Sequence, residues 1–209
     1  MYKKVNFVFV LSLVIFLTSC VIEINENGYR SLPTASKKYI RPFSMDLLKQ
    51  THSYKDTIFI YEISSSDIKQ ITKSNKFTWI HFWAPYCSSK SCVNIAGLMN
   101  EVKEQQKEKD FLELLIATSF DFNAIKERLK NSSYTQPVFI LSDSIYGHKQ
   151  GKAMKLFASK IDNNSVLKKN EYFSEYLFCD TLLTVAAWNL TPQQIDSVLN
   201  KKILQWSSN

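Results

Sequence analysis

The stretch FTWIHFWAPYCSSKSC, residues 77–92, decides how the chain is read. Phe77 to Ala84 is a continuous apolar and aromatic run. It lacks the polar–apolar alternation of a half-buried strand, so it predicts a strand covered on both faces, at the centre of a sheet. The run stops at Pro85. Two cysteines follow, Cys87 and Cys92, separated by Ser88, Ser89, Lys90 and Ser91. From Cys92 to Lys109 the apolar residues Ile95, Leu98, Met99 and Val102 recur at helical spacing, with Glu and Lys opposite, which predicts a helix.

Working outward, Asp56 to Ser64 is β-branched and aromatic and reads as a strand. Ser65, Ser66 and Asp67 offer caps for a helix over Ile68 to Ser74. Phe111 to Phe120 is a second buried strand. Asn123 is placed to cap a helix carrying Ile125 and Leu129, with Asp121 read as a cap or turn residue. Pro137 to Leu141 is a short strand, Gly147 a turn, and Gly151 to Lys160 a helix through Ala153, Leu156 and Phe157. Tyr176–Cys179 and Leu182–Trp188 form a hairpin around Asp180-Thr181. Thr191 caps a last helix that starts with Pro192 and turns Ile195, Val198, Leu199 and Ile203 inward. Strands alternating with helices and closing on a hairpin predict an α/β sandwich with a mixed sheet.

Phe82-Trp83-Ala84-Pro85-Tyr86-Cys87, between a buried strand and a helix, resembles the thioredoxin-like superfamily. It resembles especially the envelope-facing branch of membrane- or lipid-anchored thiol-disulfide oxidoreductases, whose motif is a strand and then F-W-A-x-W-C-x-x-C opening a helix. The resemblance runs from about Asp56 to Ile203. Ala117–Asp121 looks like the family's third strand, and Leu190-Thr191-Pro192 like the start of its C-terminal helix. It implies a three-layer sandwich with a central mixed sheet, and disulfide exchange with protein thiols. Cys87 would be the attacking thiol, and Cys92 would resolve the mixed disulfide. Trp83, Pro85, Tyr86 and Ser174 would form the substrate-binding wall. No small-molecule cofactor or metal is implied, since the electrons reside in the cysteine pair. The chemistry has a physical basis: unpaired backbone N–H groups and the positive dipole end at a helix N-terminus stabilise a thiolate, the attacking species.

The sequence departs from that pattern in three places. The cysteines are spaced C-x4-C, which on a continuous helix sets the second sulfur roughly 140° around from the first. They can meet only if Cys87 stands in a loop and the helix starts late, capped by Ser88, Ser89 or Ser91, with Cys92 in its first turn. The family's cis-proline position falls on Ser174 if Tyr176–Asp180 is the penultimate strand; an alternative alignment places Pro137 there. Finally, His81 stands two residues before Trp83, where relatives carry a buried Asp or Asn. A histidine there is either a strand residue, hydrogen-bonded in the core or facing outward, or a proton shuttle for Cys92.

The ends and the charge complete the reading. Lys3 and Lys4 precede an apolar stretch from Val5 to Leu17, too short for a spanning helix and suited to a signal peptide. It closes on Leu17-Thr18-Ser19-Cys20, which resembles a bacterial lipobox with Cys20 as the lipidated residue. The expected organisation is a signal peptide over 1–19, a lipid-anchored tether over 20–50 and a thioredoxin-like domain over 51–209. The expected compartment is the cell envelope, facing periplasm or cell surface, where disulfides persist. The formal net charge of +7 includes Lys3 and Lys4, and the remaining basic residues are scattered in pairs. Without a basic stripe, nucleic acid is an unsuitable partner.

Ala84, three residues before Cys87, argues against a peroxiredoxin, which has Thr there. Cys179 in a strand reads as a buried, inert thiol. His52 and His148 read as solvated loop residues, and Asn163 and Asn189 begin N-x-[ST] matches of little weight in a bacterial chain. Two other functions fit the same residues: a non-catalytic binding lipoprotein with a structural Cys87–Cys92 disulfide, or a Cu(I) carrier using Cys87 and Cys92 with His81 or His148.

Overall fold

A computed structural model of the chain describes residue 32 and residues 34–207, apart from residues 56, 163, 169 and 170. The expected signal peptide, the lipid-accepting Cys20 and Asn163 lie outside the described residues. No helix of the described residues is long and apolar enough to cross a membrane.

Seven strands form one mixed sheet in the order β1-β2-β5-β4-β3-β6-β7. They are β1 (Ile40–Pro42), β2 (Ile60–Ile63), β3 (Phe77–Trp83), β4 (Phe111–Ala117), β5 (Val138–Leu141), β6 (Glu175–Cys179) and β7 (Leu182–Ala187). β1 to β5 run parallel, and β6 and β7 are antiparallel to their neighbours. The helices are α1 (Thr34–Lys37), α2 (Ser65–Ser74), α3 (Lys90–Val93), α4 (Ile95–Gln105), α5 (Phe122–Leu129), α6 (Asp143–Tyr146), α7 (Gln150–Ile161) and α8 (Pro192–Ser207), with a 3-10 turn at Met45–Lys49. This is an α/β sandwich with a mixed sheet, as the alternation of strands and helices predicted.

The residues of β3 explain its place. Phe77, Trp79 and Trp83 point into one core with α4, α5 and α8, while Ile80 and Phe82 point into the other with α2 and α7. Such a strand needs apolar side chains on both faces, and only a central strand meets that need. Fully burying side chains of this size stabilises by about 1.5–3 kcal/mol each.

Helix starts follow the local chemistry. Ser64, rather than the serines after it, caps α2: its hydroxyl accepts from the Asp67 N–H, and the Asp67 carboxylate accepts from the Ser64 N–H. Asp121, not Asn123, caps α5 by accepting from the Ala124 N–H. Thr191 and Gln194 form a reciprocal box at the start of α8, as the Thr-Pro pair predicted.

Three expectations are corrected. The helix expected over residues 92–109 is broken into α3 and α4 at Asn94. There the Asn94 side chain folds over Gly97, where a Cβ would come within 2.6 Å of Asn94 Oδ1. Residues 34–50, assigned to the tether, contain α1, the edge strand β1 and the 3-10 turn. His52 is not a solvated loop residue, since its Nε2 lies 3.2 Å from the Leu47 carbonyl and its ring packs edge-on to Tyr61.

Candidate functional site

The C-terminal end of β3 turns at Ala84, whose carbonyl accepts from the Cys87 N–H at 3.0 Å. That tight turn carries Cys87 out of the sheet into a loop. The Ser89 carbonyl accepts from the Val93 N–H, and its hydroxyl accepts from the Cys92 N–H, so Ser89 starts α3. Cys92 then lies in the first turn of a delayed helix, as C-x4-C required. The Trp83 indole N–H donates to the Cys92 carbonyl at 3.0 Å and ties the motif strand to the second cysteine.

Both thiols are free. The Cys92 and Cys87 side chains interact, and this contact is the largest influence lowering the Cys87 pKa. Ser89 adds to it through its hydroxyl, 3.2 Å from the sulfur, and through its backbone, and the Arg128 charge lowers the pKa further. Burial, followed by the contact with Cys87, raises the Cys92 pKa. The two sulfurs are thus differentiated, with Cys87 as the thiolate-prone one. The expected helix dipole is replaced here by discrete donors, because α3 is a single turn.

Arg128 escaped the sequence reading. It reaches from α5 and donates from Nη2 to the Cys87 carbonyl at 3.2 Å and from Nε to the Pro85 carbonyl at 3.4 Å. It pins both sides of the cysteine loop. Pro85, expected on the substrate wall, is buried.

A cleft of about 700 Å³ opens beside Cys92 and brings together four of the predicted residues, His81, Trp83, Tyr86 and Ser174. Tyr86 and Trp188 stand at it with more than half their surface exposed. Ser174 precedes β6 and accepts from the Phe82 N–H at 2.7 Å. Because β6 runs antiparallel to β3, its first residues lie at the thiol end of the sheet. Pro137 precedes Val138, which stands in register with Leu115 and through it with His81, whereas Ser174 bonds the backbone of Phe82. All described peptide bonds are trans.

Glu175 was not anticipated either. It is 1% exposed, and its Oε2 accepts from the Trp79 indole N–H at 2.9 Å while its Oε1 accepts from the Leu190 N–H at 2.9 Å. Its Oε1 lies 3.4 Å from His81 Nδ1. Cys179 is buried in β6, and burial raises its pKa. His148 is exposed. Among the described residues no group of three or more His, Cys, Asp or Glu side chains converges to hold a metal ion.

No family model matches the sequence, and no curated protein matches it. Solved structures similar to the chain include a thiol:disulfide interchange protein of the thioredoxin family from Chlorobium tepidum, 12% identical, with a TM-score of 0.45 over 64% of this chain and 83% of that one. Yeast Sco1 with copper bound is 14% identical, with a TM-score of 0.41 over 63% of this chain and 78% of that one. A thioredoxin-like protein from Bacteroides caccae is 16% identical, with a TM-score of 0.40 over 74% of this chain and 51% of that one.

Proposed function

We propose that the chain is a thiol-disulfide oxidoreductase of the bacterial cell envelope. It is held at a membrane by a lipid on Cys20 and exchanges disulfides with protein thiols through Cys87 and Cys92. The observation that carries this reading is the pairing of two free thiols past the end of β3, Cys87 in the loop and Cys92 in the first turn of the delayed helix, with the Cys87 pKa lowered and the Cys92 pKa raised.

In the reducing direction, the Cys87 thiolate attacks a substrate disulfide. A bond forms between Cys87 and one substrate sulfur, and the other leaves as a thiolate. Cys92 gives its proton to His81 across the cleft and attacks the Cys87 sulfur. The Cys87–Cys92 bond forms, and the second substrate sulfur leaves as a thiolate. The two departing thiolates take up protons, so one dithiol and one disulfide have exchanged two electrons. Run backwards, the same steps oxidise a substrate dithiol. Tyr86 and Trp188 supply apolar surface to the substrate chain beside the thiols.

The test is a redox titration of the full-length chain in detergent, with alkylation to count thiols. A reversible Cys87–Cys92 couple between roughly −270 and −120 mV is expected. A bond that resists reduction below about −300 mV, or no bond, sinks the exchange reading and favours a binding protein. Mass spectrometry of chain extracted from bacterial membranes tests the anchor, which fails if Cys20 carries no lipid.

A further inference from the structure

We propose that Glu175 is a positioning residue that holds His81, a residue lining the Cys92 cleft, with its proton on Nδ1, leaving Nε2 as the basic nitrogen. The inference rests on the exchange reading above for its functional meaning, but the geometry stands by itself.

The argument begins with donors and acceptors. Glu175 opens β6 directly opposite His81 on β3. Its two oxygens already receive N–H donors, Oε2 from Trp79 and Oε1 from Leu190. His81 Nδ1 is sealed from solvent, makes no aligned hydrogen bond, and lies 3.4 Å from Oε1. A bare Nδ1 would set its lone pair against an oxygen lone pair in a buried place, which is costly. A proton between the two atoms removes that conflict, and it sits on the ring because both carboxylate oxygens are serving as acceptors. The Trp79 indole, 5.5 Å from the imidazole centroid, limits how far the ring can swing.

The choice of glutamate follows. Three N–H groups converge on one side chain, and a carboxylate accepts all three. A glutamine would turn its NH2 towards one of them. The titratable groups lining the cleft are His81, Cys92, Glu175, Tyr86 and Tyr172. Glu113 sits on β4 beside Trp79 in the sheet register. Of these, only Glu175 is paired with His81. With Nδ1 carrying the ring proton, Nε2 is the nitrogen free to accept one, and His81 shares the cleft with Cys92.

Nitrogen NMR of the full-length chain labelled with 15N-histidine tests this, with H81Q assigning the ring. The expected result is the Nδ1–H tautomer for neutral His81 in the wild type. An Nε2–H tautomer overturns the proposal. E175Q is expected to lower the Nδ1–H to Nε2–H ratio by about tenfold or more, the scale of a charge-assisted hydrogen bond. W79F, which removes another Glu175 partner, is expected to keep the Nδ1–H form. An unchanged tautomer in E175Q overturns the assignment, as does an equal change in W79F, which would make the effect one of general loosening. If E175Q does not fold, the wild-type spectrum decides. No readout depends on turnover, so failure of the exchange reading in the redox titration is recognised separately.

Discussion

The indole N–H of Trp83, the last residue of β3, donates to the carbonyl of Cys92 at 3.0 Å. One residue of the motif strand thereby fixes the start of the helix that carries Cys92. Trp83→Phe keeps the buried ring and removes the donor. The expected loss is about 1 kcal/mol of stability in urea unfolding, the scale of one hydrogen bond. Cys92 alkylation in the native state should also speed up. An unchanged Cys92 rate would mean that the bond does not hold α3 in place.

The Cys87 thiolate is stabilised chiefly by the Cys92 thiol and next by Ser89. Cys92→Ala and Ser89→Ala should each raise the Cys87 pKa, the first by more. Thiolate absorbance against pH gives the midpoint, and alkylation at pH 7 should slow several-fold in both variants. A larger effect from Ser89→Ala would reverse the order of causes.

Arg128 donates to the carbonyls of Pro85 and Cys87 on either side of Tyr86. Arg128→Met keeps the apolar stem and removes both bonds. Two partly exposed charged hydrogen bonds amount to roughly 1–2 kcal/mol together. Denaturant unfolding measures that loss, and faster amide exchange at residues 86–89 should accompany it. Equal exchange in variant and wild type would relieve Arg128 of any clamping role.

Glu113 gives a pH dependence whose sign can be worked out. It is 5% exposed, and neither carboxylate oxygen has a hydrogen-bond partner. Burial raises its pKa from 4.5 to about 7, against a smaller opposing pull from Lys103. Between those values the folded chain holds a proton that the unfolded chain has released, so stability falls as pH rises from about 4.5 to 7. The total is on the order of 3 kcal/mol. Glu113→Gln should remove that slope and be more stable than wild type at pH 8, with little difference at pH 4. Urea midpoints at both pH values check it, and parallel pH profiles would refute it.

The sequence announced the parts of this molecule whose causes are local. Phe77 to Trp83 reads as a two-faced strand because both sets of alternating side chains are apolar, and the Thr191-Pro192 start of α8 follows from capping chemistry alone. The late helix start was legible in the spacing of Cys87 and Cys92, because serines lie between them. Arg128 and Glu175 were not legible. One lies 41 residues from the cysteine carbonyl it binds and the other 94 residues from His81, with no motif at either position. The break at Asn94 was missed because Gly97 reads as a neutral helix residue until the Asn94 side chain is seen lying over it. The strand β1 was missed because Ile40–Pro42 is three residues long, and Pro42 demotes a strand by sequence rules.

The small edge strand β1 has an orientational consequence. It runs parallel to β2 and, through β5 and β4, to β3. In register its first residue, Ile40, stands level with Ile60, Val138, Leu115 and His81, so the chain joins the sheet in the half from which β3 delivers Cys87. A leash attached upstream of Thr34 would therefore meet the sheet sideways, along its β1 edge, and β7 would form the edge turned away from it.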